Sequence, residues 1–176
     1  MSLTIQQVID ILRAAVPVEL PASTVDTFKC GDPSRPVTGI VTTFIATCEV
    51  IRKTAALGAN LIVTHEPTYF NHRDRTAWLK KDPLYRAKRK LLDDNGITVW
   101  RYHDGWHSVR PDGILTGVVQ QLGWQAYQDA EQPYFFHLPP RPLKELVAEI
   151  KRRMGAATLR VVGKEDAVCA SLAFMP

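Results

Sequence analysis

The fold is decided by the stretch GANLIVTHEP at residues 58–67. Residues 60–64 form a short, almost wholly apolar run, which is typical of a strand buried on both faces of a sheet. Thr47 fits the N-cap of a preceding helix that runs to about Leu57, and Gly58 fits the stop after its last turn. A helix that leads into a buried strand is part of a βαβ unit, so this stretch predicts an α/β domain.

The same alternation of strands and helices extends in both directions from this stretch. Periodicity and capping residues predict helices over residues 5–14, 82–94, 112–122 and 143–154. Strands are predicted over residues 37–45, 97–102, 134–138, 159–162 and 167–174, and residues 22–36 are predicted to be rich in turns. This order predicts right-handed βαβ units that form a mixed sheet flanked by helices.

Length and composition exclude several other classes of protein. The chain has 176 residues, of which 45% are hydrophobic and 23% are charged, so it is not an intrinsically disordered chain. No apolar stretch approaches the ~20 residues of a membrane span, and the N-terminus has no secretory signal pattern. The three cysteines include no CxxC pair, which argues against a disulfide scaffold and fits a reducing cytoplasm. We therefore expect a cytoplasmic protein with no membrane partner.

Ligand-type side chains follow the two strands that are predicted to be most buried. His65 and Glu66 follow the first of these strands, and His103 and His107 follow the second. Sites form where the carboxyl ends of parallel strands meet, and imidazole with carboxylate suits Zn, Fe, Mn, Co or Ni. Gly105 predicts a loop that could fold His103 and His107 together. A histidine at a strand end is more often a surface or hydrogen-bonded residue, so the metal hypothesis and this structural interpretation both stay open.

A cluster of positive charges follows the first of these strand ends, within residues 73–90. It can be a solvated helix face, or it can attract a phosphate-bearing small molecule or nucleotide to the site. Trp78 and Tyr85 could add stacking on a base, but no nucleic-acid motif accompanies them, and the chain lacks GxSxG and P-loop motifs. The eight cations are Arg73, Arg75, Lys80, Lys81, Arg86, Lys88, Arg89 and Lys90, and the first four are the candidates for substrate binding.

Residues 58–70, GANLIVTHEPTYF, closely resemble the GAxLIxTHHPLxF motif of the NIF3-like family, also called GTP cyclohydrolase 1 type 2 or dinuclear metal centre hexameric proteins. Residues 31–40 resemble the segment that enters the family's first strand, and residues 138–155 resemble a later helix region. The resemblance implies an α/β fold with two related halves, a ring-like homohexamer and a two-metal site.

The resemblance also assigns ligands by position. His65 matches the first histidine of the family's THHP motif, and Glu66 stands where the second would be. His103 matches the histidine of the HTNLD motif, and His107 stands at its aspartate. The set of His65, Glu66, His103 and His107 therefore keeps both imidazole and carboxylate, and it implies one or two divalent transition-metal ions. Glu66 could bridge two ions or act as the general base on a metal-bound water.

The family continues beyond the point where this sequence stops. Its later segment carries a His-x-x-x-Glu pair that supplies two further ligands, and residues 156–176 contain no histidine. We expect either a fragment of a longer protein or a version that has lost half of the site. The expected division is a metal-site region over residues 1–130 and the truncated start of a second α/β half over residues 131–176.

Two functions follow from the resemblance and the residues together. The first is a metal-dependent hydrolase that uses metal-activated water on a phosphorylated or nucleotide-like substrate. The alternative is a non-catalytic metal-binding scaffold or regulatory protein that acts through homo-oligomers and partners. Binding to nucleic acid through the basic segment would depend strongly on salt.

Overall fold

The computed structural model describes residues 2–16 and 19–175, which form a mixed α/β fold with helices flanking the sheet, as predicted. The chain divides into two compact units, Met1–Val109 and Arg110–Pro176. The helix predicted over residues 112–122 lies in the second unit, and the expected division at residue 130 between the metal-site region and a second α/β half stays a prediction. Among the described helices, none is long and apolar enough to span a membrane.

The first unit is built on a four-stranded sheet with the strand order β1-β4-β3-β2. Strands β2, β3 and β4 are parallel, and β1 runs antiparallel to β4. The strands are β1 (Phe28–Cys30), β2 (Ile40–Thr43), β3 (Leu61–Thr64) and β4 (Thr98–Arg101). The helices of this unit are α1 (Ile5–Ala14), α2 (Cys48–Ala56), α3 (Pro83–Asp94) and α4 (Asp104–Ser108).

The two central strands set the position of everything that follows them. Every residue of β3 and β4 is buried, which explains the nearly continuous apolar run that predicted β3. Thr64 is paired with Arg101 in the parallel register, so both strands end at the same level. The side chains that come next, from residue 65 and from residue 102, therefore emerge at one edge of the sheet.

Capping residues explain why the helix bounds were predictable. The Thr47 hydroxyl accepts a hydrogen bond from the Val50 N–H at the start of α2. At the start of α3, the Asp82 carboxylate accepts one from the Tyr85 N–H, with Pro83 in the first turn. The strands were less predictable: β2 is shorter than the predicted range, and β1 lies in a segment for which only turns were predicted.

The second unit packs two helices against a two-stranded antiparallel sheet. Its core includes Trp124 and Phe136. Helix α6 has the predicted bounds, but the predicted strand over residues 159–162 is wrong, because these residues are exposed and lie outside both described sheets. The elements are α5 (Gly113–Leu122), β5 (Phe135–Pro142), α6 (Leu143–Met154) and β6 (Val168–Ala173).

Two glycines of the first unit give a matched test of close packing. Gly31 has φ +91° at the end of β1, and a Cβ there would lie 2.4 Å from the Thr98 Cα. Gly58 also has positive φ, +68°, but nothing lies within 4 Å of a Cβ built on it. We expect Gly31→Ala to lower the free energy of unfolding by about 2–4 kcal/mol, because overpacking adds to backbone strain.

The control substitution Gly58→Ala carries only the backbone strain, about 1 kcal/mol. Urea denaturation of both variants measures the difference. Equal destabilisation by the two substitutions would show that the approach of Gly31 to β4 does not limit packing.

Candidate metal centre

Three histidine rings converge at the carboxyl end of β3 and β4. His65 follows β3 directly, His103 lies just beyond β4, and His107 lies in α4. One ring nitrogen from each of the three lies within 4.8 Å of those of the other two. The ring centroids are separated by 4.6 Å for His65–His103, 5.1 Å for His65–His107 and 4.7 Å for His103–His107. The structure therefore brings together three of the four side chains that the sequence predicted as ligands.

A short helix, rather than the predicted loop, joins His103 and His107. The His107 N–H donates to the His103 carbonyl at 3.0 Å, so the two residues are one helical turn apart and share a face. Gly105 makes this helix possible at its position, because a Cβ there would lie 2.6 Å from a ring carbon of Tyr102. The sequence predicts a loop from this glycine, but in the structure the glycine allows close packing of a helix.

Asp26 binds the backbone N–H groups at the start of this helix through its carboxylate. Its side chain is fully buried, and one carboxylate oxygen accepts from the N–H groups of His103 at 2.7 Å and Asp104 at 2.9 Å. The other oxygen accepts from the Gly105 N–H at 2.8 Å. The carboxylate thus satisfies three backbone donors at a helix N-terminus, where negative charge is favoured. Asp26 lies in the turn-rich segment, where no periodic pattern of residues indicates this role.

Hydrogen bonds fix the orientation of two of the rings. The Nδ1 of His65 lies 3.1 Å from the carbonyl oxygen of Tyr102, and the Nδ1 of His103 lies 3.1 Å from a carboxylate oxygen of Asp104. A carbonyl and an ionised carboxylate can only accept, so each Nδ1 carries the proton and each Nε2 keeps its lone pair. Metal-ligating histidines commonly show this arrangement, in which the second nitrogen donates to a carbonyl or carboxylate.

The charge states of these groups suit metal binding. Burial lowers the pKa of His65 and of His103 below its usual value, so both rings are neutral at pH 7. Burial alone would raise the pKa of Asp104, but hydrogen bonds from the Val25 N–H, the Thr24 hydroxyl and His103 lower it. The site therefore offers neutral imidazoles backed by an ionised carboxylate, the protonation states in which these groups coordinate or support a metal ion.

A second group of possible ligands shares His103 with the first. One donor atom each from His72, His103 and Asp104 lies within 4.8 Å of the other two. His72 is exposed, and its ring centroid lies 5.0 Å from that of His103. His72 and Asp104 are not among the ligands predicted from the sequence. Asp104 directly follows His103 in the chain, so it could have been predicted as a ligand. His72 lies next to the basic segment, and no sequence pattern indicates that it reaches the site.

The loop that carries His72 is held by a single carboxylate. Asp74, which has φ +50°, accepts hydrogen bonds from three consecutive backbone N–H groups at 2.7–2.9 Å. These three donors belong to residues 68–70, so the loop folds back on itself around Asp74. His72 therefore lies in an ordered turn next to the histidine cluster.

Glu66 occupies a different place from the three predicted imidazole ligands. Its carboxylate lies 3.9 Å from the Nη2 of Arg101, and its side chain is about one-third exposed (34%). Among the described residues, Glu66 belongs to neither group of possible ligands. The structure thus places Glu66 beside a buried guanidinium, and its role as a ligand or general base stays a prediction.

The basic segment separates into two kinds of residue. Arg89 and Lys90 form ion pairs with acidic residues one turn further along α3, and Lys88 is half-buried and donates to the Thr68 carbonyl. The four cations predicted to bind substrate are exposed, and none of them forms an ion pair within the described part of the chain. These four are Arg73, Arg75, Lys80 and Lys81.

Exposed aromatic side chains lie at and near the histidine cluster. Phe44 is 60% exposed, and its ring stacks on that of His65 with centroids 5.4 Å apart. Trp78 is 65% exposed and meets the edge of Phe70 at 5.1 Å. Tyr85, the second residue considered for stacking, instead packs against Tyr69. Aromatic surface is therefore available to a flat ligand beside the candidate metal site.

Comparison with known proteins identifies the family. The family model described as Duf34/NIF3 (NGG1p interacting factor 3) matches residues 3–176. The chain belongs to this family. It is also 29% identical over 121 residues to a GTP cyclohydrolase 1 type 2 homolog of Clostridium perfringens. That match covers 68% of this chain and 45% of the relative, so the chain matches a little less than half of the relative's length.

Solved structures share the Duf34/NIF3 fold. A Bacillus cereus protein related to NIF3 matches with a TM-score of 0.75 and 15% identity, over 97% of this chain and 75% of the other. A hypothetical protein from Staphylococcus aureus matches with a TM-score of 0.71 and 17% identity, over 97% of this chain and 71% of the other. At these identities the comparison shows the fold alone.

The donor set of this Duf34/NIF3 chain fits a transition-metal ion. One nitrogen from each of three imidazole rings lies within 4.8 Å of those of the other two. Hydrogen bonds from Nδ1 to acceptor oxygens already orient two of these rings. Imidazole is a ligand for zinc, iron, cobalt and nickel, and Asp104 adds a carboxylate to the surroundings. The residues present are therefore able to hold such an ion.

Proposed function

We propose that this Duf34/NIF3 chain is a metal-dependent hydrolase that acts on a phosphorylated or nucleotide-like substrate. The convergence of His65, His103 and His107, with two rings oriented through Nδ1, carries the proposal. These three side chains would hold the ion. When bound, a divalent ion lowers the pKa of its bound water to about 7 and so makes a nucleophile available at neutral pH.

The remaining roles in the proposed reaction, proton transfer and substrate binding, fall to side chains of the protein. Glu66 follows His65 in the chain and is partly exposed, so its carboxylate is the candidate to accept a proton as general base. The four exposed cations would bind the phosphate groups of the substrate. Phe44, stacked on His65, offers a face for a purine or another flat ring. The name of the Clostridium perfringens relative, a GTP cyclohydrolase 1 type 2 homolog, supports a nucleotide as the first substrate to test.

Turnover with matched variants tests this proposal. We expect the chain loaded with Mn²⁺, Co²⁺ or Zn²⁺ to hydrolyse GTP or a phosphate monoester, and His65→Ala to lose that activity together with the metal. Glu66→Gln should lose at least about 100-fold in kcat while it retains the metal, as expected for a general base. Metal loss in Glu66→Gln would place Glu66 among the ligands instead. Activity unchanged in His65→Ala would contradict the hydrolase proposal.

The exposed cations allow a separate prediction on substrate binding. Replacing Arg73, Arg75, Lys80 and Lys81 together by alanine should raise KM for a phosphorylated substrate about tenfold or more and weaken its salt dependence. A control that replaces Arg52, Lys53, Lys151 and Arg152 removes the same charge from other exposed positions. Equal KM changes in the two variants would show that only net charge matters.

A non-catalytic metal-binding scaffold that acts through homo-oligomers is the second candidate. It is favoured by Glu66, which lies beside Arg101 and not within the ligand groups of the described residues. In that case metal addition should change the oligomeric state, measured by sedimentation, without turnover of any substrate. His65→Ala should then abolish the change in assembly.

A further inference from the structure

Arg101 is a fully buried, charged side chain beside the candidate metal centre. It is the last residue of β4 and has no exposed surface. Its Nε donates to the carbonyl of His65 at 2.8 Å, and its Nη1 donates to the carbonyl of His72. Its Nη2 lies 3.9 Å from the Glu66 carboxylate and has no hydrogen-bond partner among the described residues. All three nitrogens thus face residues of one loop.

Folding alone gives little reason to place a guanidinium here. The other three residues of β4 are buried and uncharged, and an apolar side chain would fill the same position without a charge to desolvate. Burial lowers the pKa of Arg101, and the nearby carboxylates of Glu66, Asp74 and Asp104 act in the opposite direction. Two of these three belong to the loop with His72 or to its start, so the counter-charges and the hydrogen-bond acceptors lie in the same part of the molecule.

The two carbonyls that Arg101 binds belong to histidines that the site uses. His65 is in the first ligand group, and His72 is in the second. The guanidinium is planar and rigid, so its Nε and Nη1 fix both carbonyls relative to each other. Fixing a carbonyl fixes the backbone from which the ring projects. Arg101 therefore sets the distance between the end of β3 and the turn that carries His72.

We propose that Arg101 is the positioning residue of this centre, which holds His65 and His72 through their main-chain carbonyls in a geometry that binds a metal ion. The inference rests on the proposed metal binding and deepens it, because it adds His72 to the residues that the ion requires. Arg101 itself does not touch the ion.

The test compares Arg101→Lys with a matched control. Lysine keeps the charge but offers one nitrogen, which cannot bind both carbonyls in the fixed geometry of the fork. Arg35→Lys is the control, because Arg35 also donates to a main-chain carbonyl, that of Gly96 at 3.0 Å, and that carbonyl belongs to no residue of the ligand groups. Co²⁺ affinity is measured by competition with a chromophoric chelator, and the absorption spectrum of bound Co²⁺ reports ligand geometry.

We expect Arg101→Lys to weaken Co²⁺ binding by about 10–100-fold and to change the Co²⁺ spectrum, while Arg35→Lys changes neither. The variants are compared at a temperature where circular dichroism shows that each is folded, so that a loss of stability alone cannot change the measured Co²⁺ affinity. A folded Arg101→Lys chain with wild-type affinity and spectrum would overturn the proposal.

His72→Ala keeps the inference testable if Arg101 variants do not fold. His72 is exposed, so its replacement should leave the fold intact, and we expect Co²⁺ affinity to fall about fivefold or more. Unchanged affinity in His72→Ala would overturn the inference. A wild-type chain that binds no Co²⁺ at all would instead overturn the proposed function, so the two failures are distinguishable.

Discussion

Replacing Asp26 by alanine is expected to lower the free energy of unfolding of the first unit by about 3–5 kcal/mol. The substitution leaves three backbone N–H groups without the carboxylate that now binds them, and these groups lie in the partly buried first turn of α4. Hydrogen bonds to a charged group contribute about 1.5–3 kcal/mol each, but the three share one carboxylate, so the sum is not additive. Metal affinity should fall as well, because α4 carries His107 and starts beside His103.

Two comparisons make the Asp26 result decisive. Asp26→Asn keeps the volume but turns one oxygen into a donor that faces an N–H group, so it should destabilise nearly as much as alanine. Asp10→Ala removes an exposed carboxylate from α1 and should change the free energy of unfolding by no more than about 0.5 kcal/mol. Urea denaturation of the metal-free chains provides the values. A change below about 1 kcal/mol for Asp26→Ala would contradict its role as the support of α4.

Single replacements of His65, His103 or His107 by alanine are expected to weaken divalent-metal binding at least about 100-fold. Each removes one of three nitrogen donors whose positions are fixed before the ion arrives. His137 is the matched control, because it is an exposed histidine of the second unit whose ring binds Asp129. His137→Ala should leave metal affinity unchanged.

Stability measurements separate ligand loss from misfolding in these variants. The three rings lie at the edge of the sheet rather than in its core, so the metal-free variants should unfold within about 1 kcal/mol of the wild type. Saturating metal should stabilise the wild type and not the variants, since an ion that binds only the folded chain shifts unfolding by mass action. If each variant retains wild-type affinity, the cluster is a hydrogen-bonded group of histidines and not a metal centre.

Most of the helix bounds could be predicted from residues close to the helix ends. Side chains within four residues cap the N-termini of α1, α2 and α3, and Gly155 caps the end of α6, so these bounds were predictable. Strand β1 was missed because its three residues pair with β4, about 70 positions away, and no local pattern reports such a partner. The strand over residues 159–162 was predicted from propensity alone, and propensity does not establish a strand without a partner.

The candidate site was predictable where it followed strand ends. His65, His103 and His107 could be grouped because parallel strands end at one edge. Asp26 and His72 could not, since each reaches the site through a turn whose geometry depends on distant hydrogen bonds. Arg101 left a usable signal, a charged residue within a strand predicted to be buried, which is a rare placement for an arginine.

X-ray absorption of the chain loaded with one equivalent of Zn²⁺ or Co²⁺ tests the central claim most directly. We expect uptake of the ion and a first shell that contains at least three imidazole nitrogens at about 2.0–2.1 Å, with the scattering pattern of histidine rings. His103→Ala should reduce the imidazole count by one or abolish uptake. No uptake by the wild-type chain, or a first shell of oxygen or sulfur without imidazole, would contradict it.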